Sequence, residues 1–161
     1  MKFILTLCLA GLLLIPAQAE RRVGEAQVRA DGNGQPCFTI SEREEKRSGA
    51  PDFQSVTVSE GVRVSWQMSM PRDRTFSVNS NMCIPYGGRV TALPQTPAAV
   101  LVAEKVYTVH LEARPGRNMA TPLRYQARFC LAPRRGASPR LHFIDSDAQP
   151  GRDLYGCQPR R

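Results

Sequence analysis

The sequence predicts an all-β fold, an immunoglobulin-like antiparallel β-sandwich of seven to eight short strands, and three observations carry that expectation. Apolar residues alternate with polar ones at period two in several segments, no helical stripe exceeds two turns, and Pro- and Gly-rich connections separate the segments.

The first strand is read at Val23–Ala30, followed by the dense turn Asp31-Gly32-Asn33-Gly34 and a second strand from Cys37 to Ser41, which together suggest a hairpin. Residues 42–52 read as a charged loop with room for a brief helical turn that Gly49 and Pro51 stop. The clearest alternation interleaves Phe53, Val56, Val58, Val62, Val64, Trp66 and Met68 with Ser, Thr, Arg and Gln, around a break at Glu60-Gly61. Tyr107, Val109 and Leu111 form a second inward set, and Leu123, Tyr125, Ala127, Phe129 and Leu131 a third. Leu141–Ile144 reads as a last short strand, Pro133–Pro139 as a connection, and Ala98–Glu104 allows one helical turn at most.

The N-terminal nineteen residues have the layout of a cleavable secretory signal: one cation at Lys2, an apolar run from Phe3 to Ile15, then Pro16 and the small-x-small Ala17-Gln18-Ala19. That run is about half the ~20 residues a membrane-crossing helix needs, so no transmembrane anchor is expected. Residues 20–161 are then one exported domain with a polar C-terminal tail, placed in a bacterial periplasm. Loss of Lys2 takes the formal charge from +8 to +7, and arginines outnumber lysines nineteen to two in the remainder. Export argues against nucleic acid, and arginines scattered along the chain read first as a solvated basic surface and second as an attraction for an acidic protein partner.

Four cysteines survive processing, Cys37, Cys83, Cys130 and Cys157, and in an oxidising compartment they suggest two disulfides with three possible connectivities. Their gaps of 46, 47 and 27 positions do not suit a zinc site. Alternation sets Cys130 on the face of Arg128 and Cys37 opposite Phe38 and Ile40, so the bridges are expected to tie loops or the tail across the outside of a sheet. Cys157 is a natural clasp for the tail.

Groups for catalysis are few, and no enzymatic activity, metal or cofactor is expected. His110 lies on the polar face of a strand, His142 alternates with Phe143, and Asp145-Ser146-Asp147 lacks the spaced Gly and closing Glu of a calcium loop. A frame presenting loops remains, and Arg and aromatic residues in those loops are the candidate partner contacts: Arg72, Arg74 and Phe76 in one, Tyr86 beside Gly87 and Gly88 in another.

Four blocks, Pro36-Cys-Phe-Thr-Ile40, Cys83-Ile-Pro-Tyr-Gly87, Val106-Tyr-Thr-Val-His-Leu111 and Tyr125-Gln-Ala-Arg-Phe-Cys-Leu131, resemble a family of small bacterial proteins, the type VI secretion immunity periplasmic lipoproteins. The resemblance runs from about Val23 to Leu131. It implies a protein that binds a toxic effector delivered into the periplasm and occludes it, with no chemistry of its own. One departure is plain: Glu20, not a lipid-accepting Cys, follows the expected cleavage point, which implies a freely diffusing form. The alternative is a structural or accessory envelope sandwich, for instance a carbohydrate-binding module. The inward placement of the single tryptophan, Trp66, weighs against that alternative.

Overall fold

Residues 22–74, 76–90, 92–115, 120–144 and 157 are described by a computed structural model. The signal-like segment, Asp145-Ser146-Asp147 and most of the tail lie outside them. No helix among the described residues is long and apolar enough to cross a membrane.

The first hairpin forms as its turn signal predicts. Strands β1 (Gly24–Ala30) and β2 (Pro36–Ile40) pair antiparallel from Ala26↔Ile40 to Ala30↔Pro36. The Asp31 carboxylate accepts the N–H groups of Asn33 and Gln35 at 2.8 and 2.9 Å, the side-chain mimicry of a backbone turn that favours Asp there.

The charged loop folds further than expected, into helix α1 (Glu42–Ser48). Ser41 caps it by accepting the Glu44 N–H at 3.1 Å, three acids occupy the first turn, and Lys46 and Arg47 lie in the last. Capping and macrodipole therefore cooperate where propensity alone suggested a loop. The signal was present in the sequence as Ser41-x-x-Glu44.

Glu44 also anchors the start of the described chain. Its buried carboxylate pairs with Arg22, whose Nη1 donates at 2.9 Å, and it accepts from the Ser48 hydroxyl at 3.2 Å and the Glu25 N–H at 3.3 Å. The Arg22 hydrogen bond outweighs burial and holds this carboxyl below the ordinary range. A depressed folded-state pKa means the unfolded chain binds the proton more readily. Its stabilising contribution is therefore complete above about pH 4.3 and is lost as pH falls below that value. Urea midpoints measured from pH 6 to pH 3 are expected to decline more steeply for the native chain than for Glu44→Gln. Parallel slopes would contradict the pairing.

Strands β3 (Phe53–Glu60) and β4 (Arg63–Ser69) form the second hairpin. Phe53, Val56, Val58, Trp66 and Met68 are buried as their alternation predicts, but Val62 and Val64 are exposed. Val62 lies in the turn between the strands, and the pairing explains Val64: Val58 faces Trp66 while Ser59 faces Val64, so Ser65 is an inserted bulge residue. A bulge shifts the period by one and turns the following side chains to the opposite face.

The remaining strands are β5 (Ile84–Pro85), β6 (Val106–Ala113), β7 (Arg124–Arg134) and β8 (Ala137–Ile144). Strand β8 begins earlier than predicted, inside the Pro-rich stretch read as a connection. Pro133 falls at a register shift in β7, and Pro139 lies in β8, which pairs β7 off the main strand path. Bulges and edges are the places in a sheet where proline is tolerated. Ala98–Glu104 forms no helix.

The all-β class and the eight strands among the described residues agree with the sequence; their connectivity is a curled mixed sheet where a two-sheet antiparallel sandwich was expected. One hydrogen-bonded path runs β4-β3-β6-β7-β1-β2-β5, with β8 beside β7. The joint is β7, whose first half pairs in parallel with β1 through Gly24↔Tyr125 and Glu25↔Gln126 and whose second half pairs antiparallel with β8. Gly24 makes the parallel joint possible, because a Cβ there would stand 2.4 Å from the Tyr125 ring. From that joint the path curls, so that Phe38 on β2 comes within 6.4 Å of Trp66 on β4 and 5.8 Å of Phe129 on β7. Alternation reveals which face of a strand is buried and is silent about which strand lies next to it.

Both disulfides form, as Cys37–Cys83 and Cys130–Cys157. Cys130, Ile144 and Cys157 make a small apolar cluster apart from the main core, which agrees with a clasp on the outer face of the sheet. Cys37 is likewise buried, with residue 83 held over β2.

Candidate functional site

Two connections, β4 to β5 and β5 to β6, meet beside the β2–β5 edge and enclose a groove of about 510 Å³. Its floor is apolar, built from Met68, Met70, Phe76, Ile84 and Leu93. Met82, Cys83 and Pro85 form one wall, and Arg74 and Arg89 line it from two different loops. A concave, mostly apolar space of this size with a few polar groups matches the usual form of a binding site.

Each connection is fixed by polar contacts. Arg114 donates from Nη1 to the Arg72 carbonyl at 2.7 Å and from Nη2 to the Pro71 carbonyl at 2.6 Å, which positions the loop carrying Arg74. Arg29 on β1 reaches across to the Ser80 and Met82 carbonyls at 2.7 and 2.8 Å. The Glu45 carboxylate accepts the Ser80 N–H at 2.8 Å, and the Thr39 hydroxyl donates to the Asn79 carbonyl at 2.7 Å. The Cys37–Cys83 bridge completes this attachment. Gly87 adopts φ +67°, and a Cβ on Gly88 would stand 2.7 Å from the Pro85 ring, so the second loop turns where only glycine fits.

Two of the four predicted contact residues come together here: Arg74 and Phe76 both line the groove. Phe76 is half-buried, its ring 4.9 Å from that of Phe53. Arg72 is exposed on the same loop, outside the groove lining. Tyr86 turns its hydroxyl inward, donating to the Ala99 carbonyl at 2.7 Å with the Ser65 carbonyl 3.2 Å away, and its ring meets Trp66 at 5.5 Å. Burial pushes its phenol up to about 12, as expected for a group that ties the loop to the frame.

The methionines, Arg89 and Leu93 were not singled out by their residue types, because each is ordinary where it stands in the sequence. The period-two pair Met68 and Met70 was the one available signal. Of the histidines, His110 shares a 3.1 Å hydrogen bond with Gln126 across β6 and β7, and His142 lies opposite Cys130 on β8. No group of three or more metal-ligating side chains is found among the described residues. Compared with family models, curated proteins and solved structures, the chain matches none.

Proposed function

We propose that this chain is an exported, periplasmic binding protein of the immunity kind, which neutralises a type VI secretion effector by stoichiometric association and occlusion. The observation that supports this most is the groove itself: an open apolar surface flanked by exposed arginines, on loops tied to a β-frame by a disulfide and by Arg29 and Arg114. An inhibitor benefits from such a frame because loops already held in place lose little freedom on association. The arginine excess suits an acidic partner, attracting it before contact and pairing with its carboxylates afterwards. The curled sheet serves here in the role an immunoglobulin-like sandwich plays elsewhere, a stiff support for recognition loops.

A carbohydrate-binding envelope module has less support, since Trp66 is fully buried and cannot stack on a sugar. The test is genetic and biochemical. Co-expression with the product of the adjacent open reading frame is expected to yield a complex that survives gel filtration and to rescue cells from that product. Recovery of neither complex nor protection would reject the proposal.

A further inference from the structure

We propose that the groove receives a short acidic segment of the partner, with an apolar side chain seated on the methionine floor and a carboxylate on each side paired to Arg74 and Arg89. This rests on the binding role above and adds the chemistry of what is bound.

The floor sets the first requirement. Met68 and Met70 present unbranched thioether chains beside Phe76 and Leu93, and Met82 stands more exposed on the wall. Methionine adapts its shape at little cost, so such a floor accommodates leucine, methionine or an aromatic ring without demanding one of them. Few polar atoms are available there to satisfy a buried polar side chain, which therefore would lose its hydration uncompensated.

The rim sets the second. Arg74 and Arg89 are both exposed, and neither has a carboxylate partner among the described residues. Between Met70 and Leu93 the sequence carries three arginines against the single acid Asp73. A docked segment would exclude water from this rim and strengthen the attraction of guanidinium for carboxylate, which arginine grips in a planar fork. Two cations on separate loops fit two carboxylates spaced along a chain better than the single headgroup of a fatty acid.

The experiment uses the exported protein carrying ¹³C-methyl methionine. The first probe is a blocked hexapeptide with Leu-Phe between pairs of glutamates. The same peptide with lysines for glutamates and dodecanoate complete the set. The acidic peptide is expected to move the Met68, Met70 and Met82 methyl signals saturably. The double variant R74E/R89E is expected to bind it at least about tenfold more weakly, equivalent to about 1.4 kcal/mol. That variant is also expected to prefer the lysine peptide, with an unchanged circular dichroism spectrum because both side chains are exposed.

Equal response to both peptides, movement with dodecanoate but not with the acidic peptide, or no movement with any probe would overturn the inference. The effector separates this failure from failure of the binding role. An effector held as tightly by R74E/R89E as by the native chain removes the groove and keeps the role. Binding of the acidic peptide by a chain that forms no effector complex removes the role and keeps the groove.

Discussion

Replacing Cys37 and Cys83 together by alanine is expected to lower the unfolding free energy by about 4 kcal/mol, the chain-entropy value for a crosslink spanning 46 positions. Domains of this size are stable by only about 5 to 15 kcal/mol, so the loss removes a large part of the total. Urea denaturation under oxidising conditions reads it directly: with a slope of about 2 kcal/mol/M, the midpoint falls by about 2 M. Removing Cys130 and Cys157, which are 27 positions apart, is expected to cost somewhat less, about 3.5 kcal/mol. The two changes also differ in kind. The first releases the wall of the groove beside Met82 and Cys83, while the second frees the tail on the other apolar cluster. A double-alanine chain as stable as the native one would show that the bridge does not brace this fold.

Trp66→Ala is expected to cost about 3 to 5 kcal/mol, the range for emptying a large aromatic site in a packed core. Trp66 is wholly buried between Phe38 and Tyr86, at the place where the ends of the curled sheet face each other. Its removal leaves a cavity that cannot close without moving β2 toward β4. Thermal unfolding followed by circular dichroism is expected to show a midpoint lowered by roughly 10 to 15 °C. Trp66→Phe keeps most of the apolar contact and is expected to lose less than half as much. A drop below about 1 kcal/mol for the alanine variant would mean that this contact does not hold the sheet ends together.

How far the sequence reveals the fold depends on which physical signal a residue carries. Val109 and Leu111 on β6 or Ala127 and Phe129 on β7 declare their burial by period alone, because each strand has one face toward the core. The Asp31 turn declares itself through a side chain that bonds its own neighbours. Helix α1 was legible in principle at Ser41 and Glu44, yet the cap is a single local hydrogen bond among many charges. The parallel joint at Gly24 and the bulge at Ser65 depend on partners distant in the chain, so nothing local announces them. The groove follows the same logic. Arg74 and Phe76 could be named from loop position and residue type, whereas Met68, Met82 and Arg89 become neighbours only after the sheet curls and Cys83 is drawn to β2.

The frame that holds the groove is covalent at Cys37–Cys83, and a non-reducing peptide map of the natively purified protein tests it most directly. Cleavage after arginine leaves each of the four cysteines on its own peptide, so every linkage has a distinct mass. The map is expected to show Cys37 joined to Cys83, Cys130 joined to Cys157 and no thiol open to alkylation. A free thiol at any of the four positions, or Cys83 joined to Cys130 or Cys157, would contradict a disulfide-braced wall.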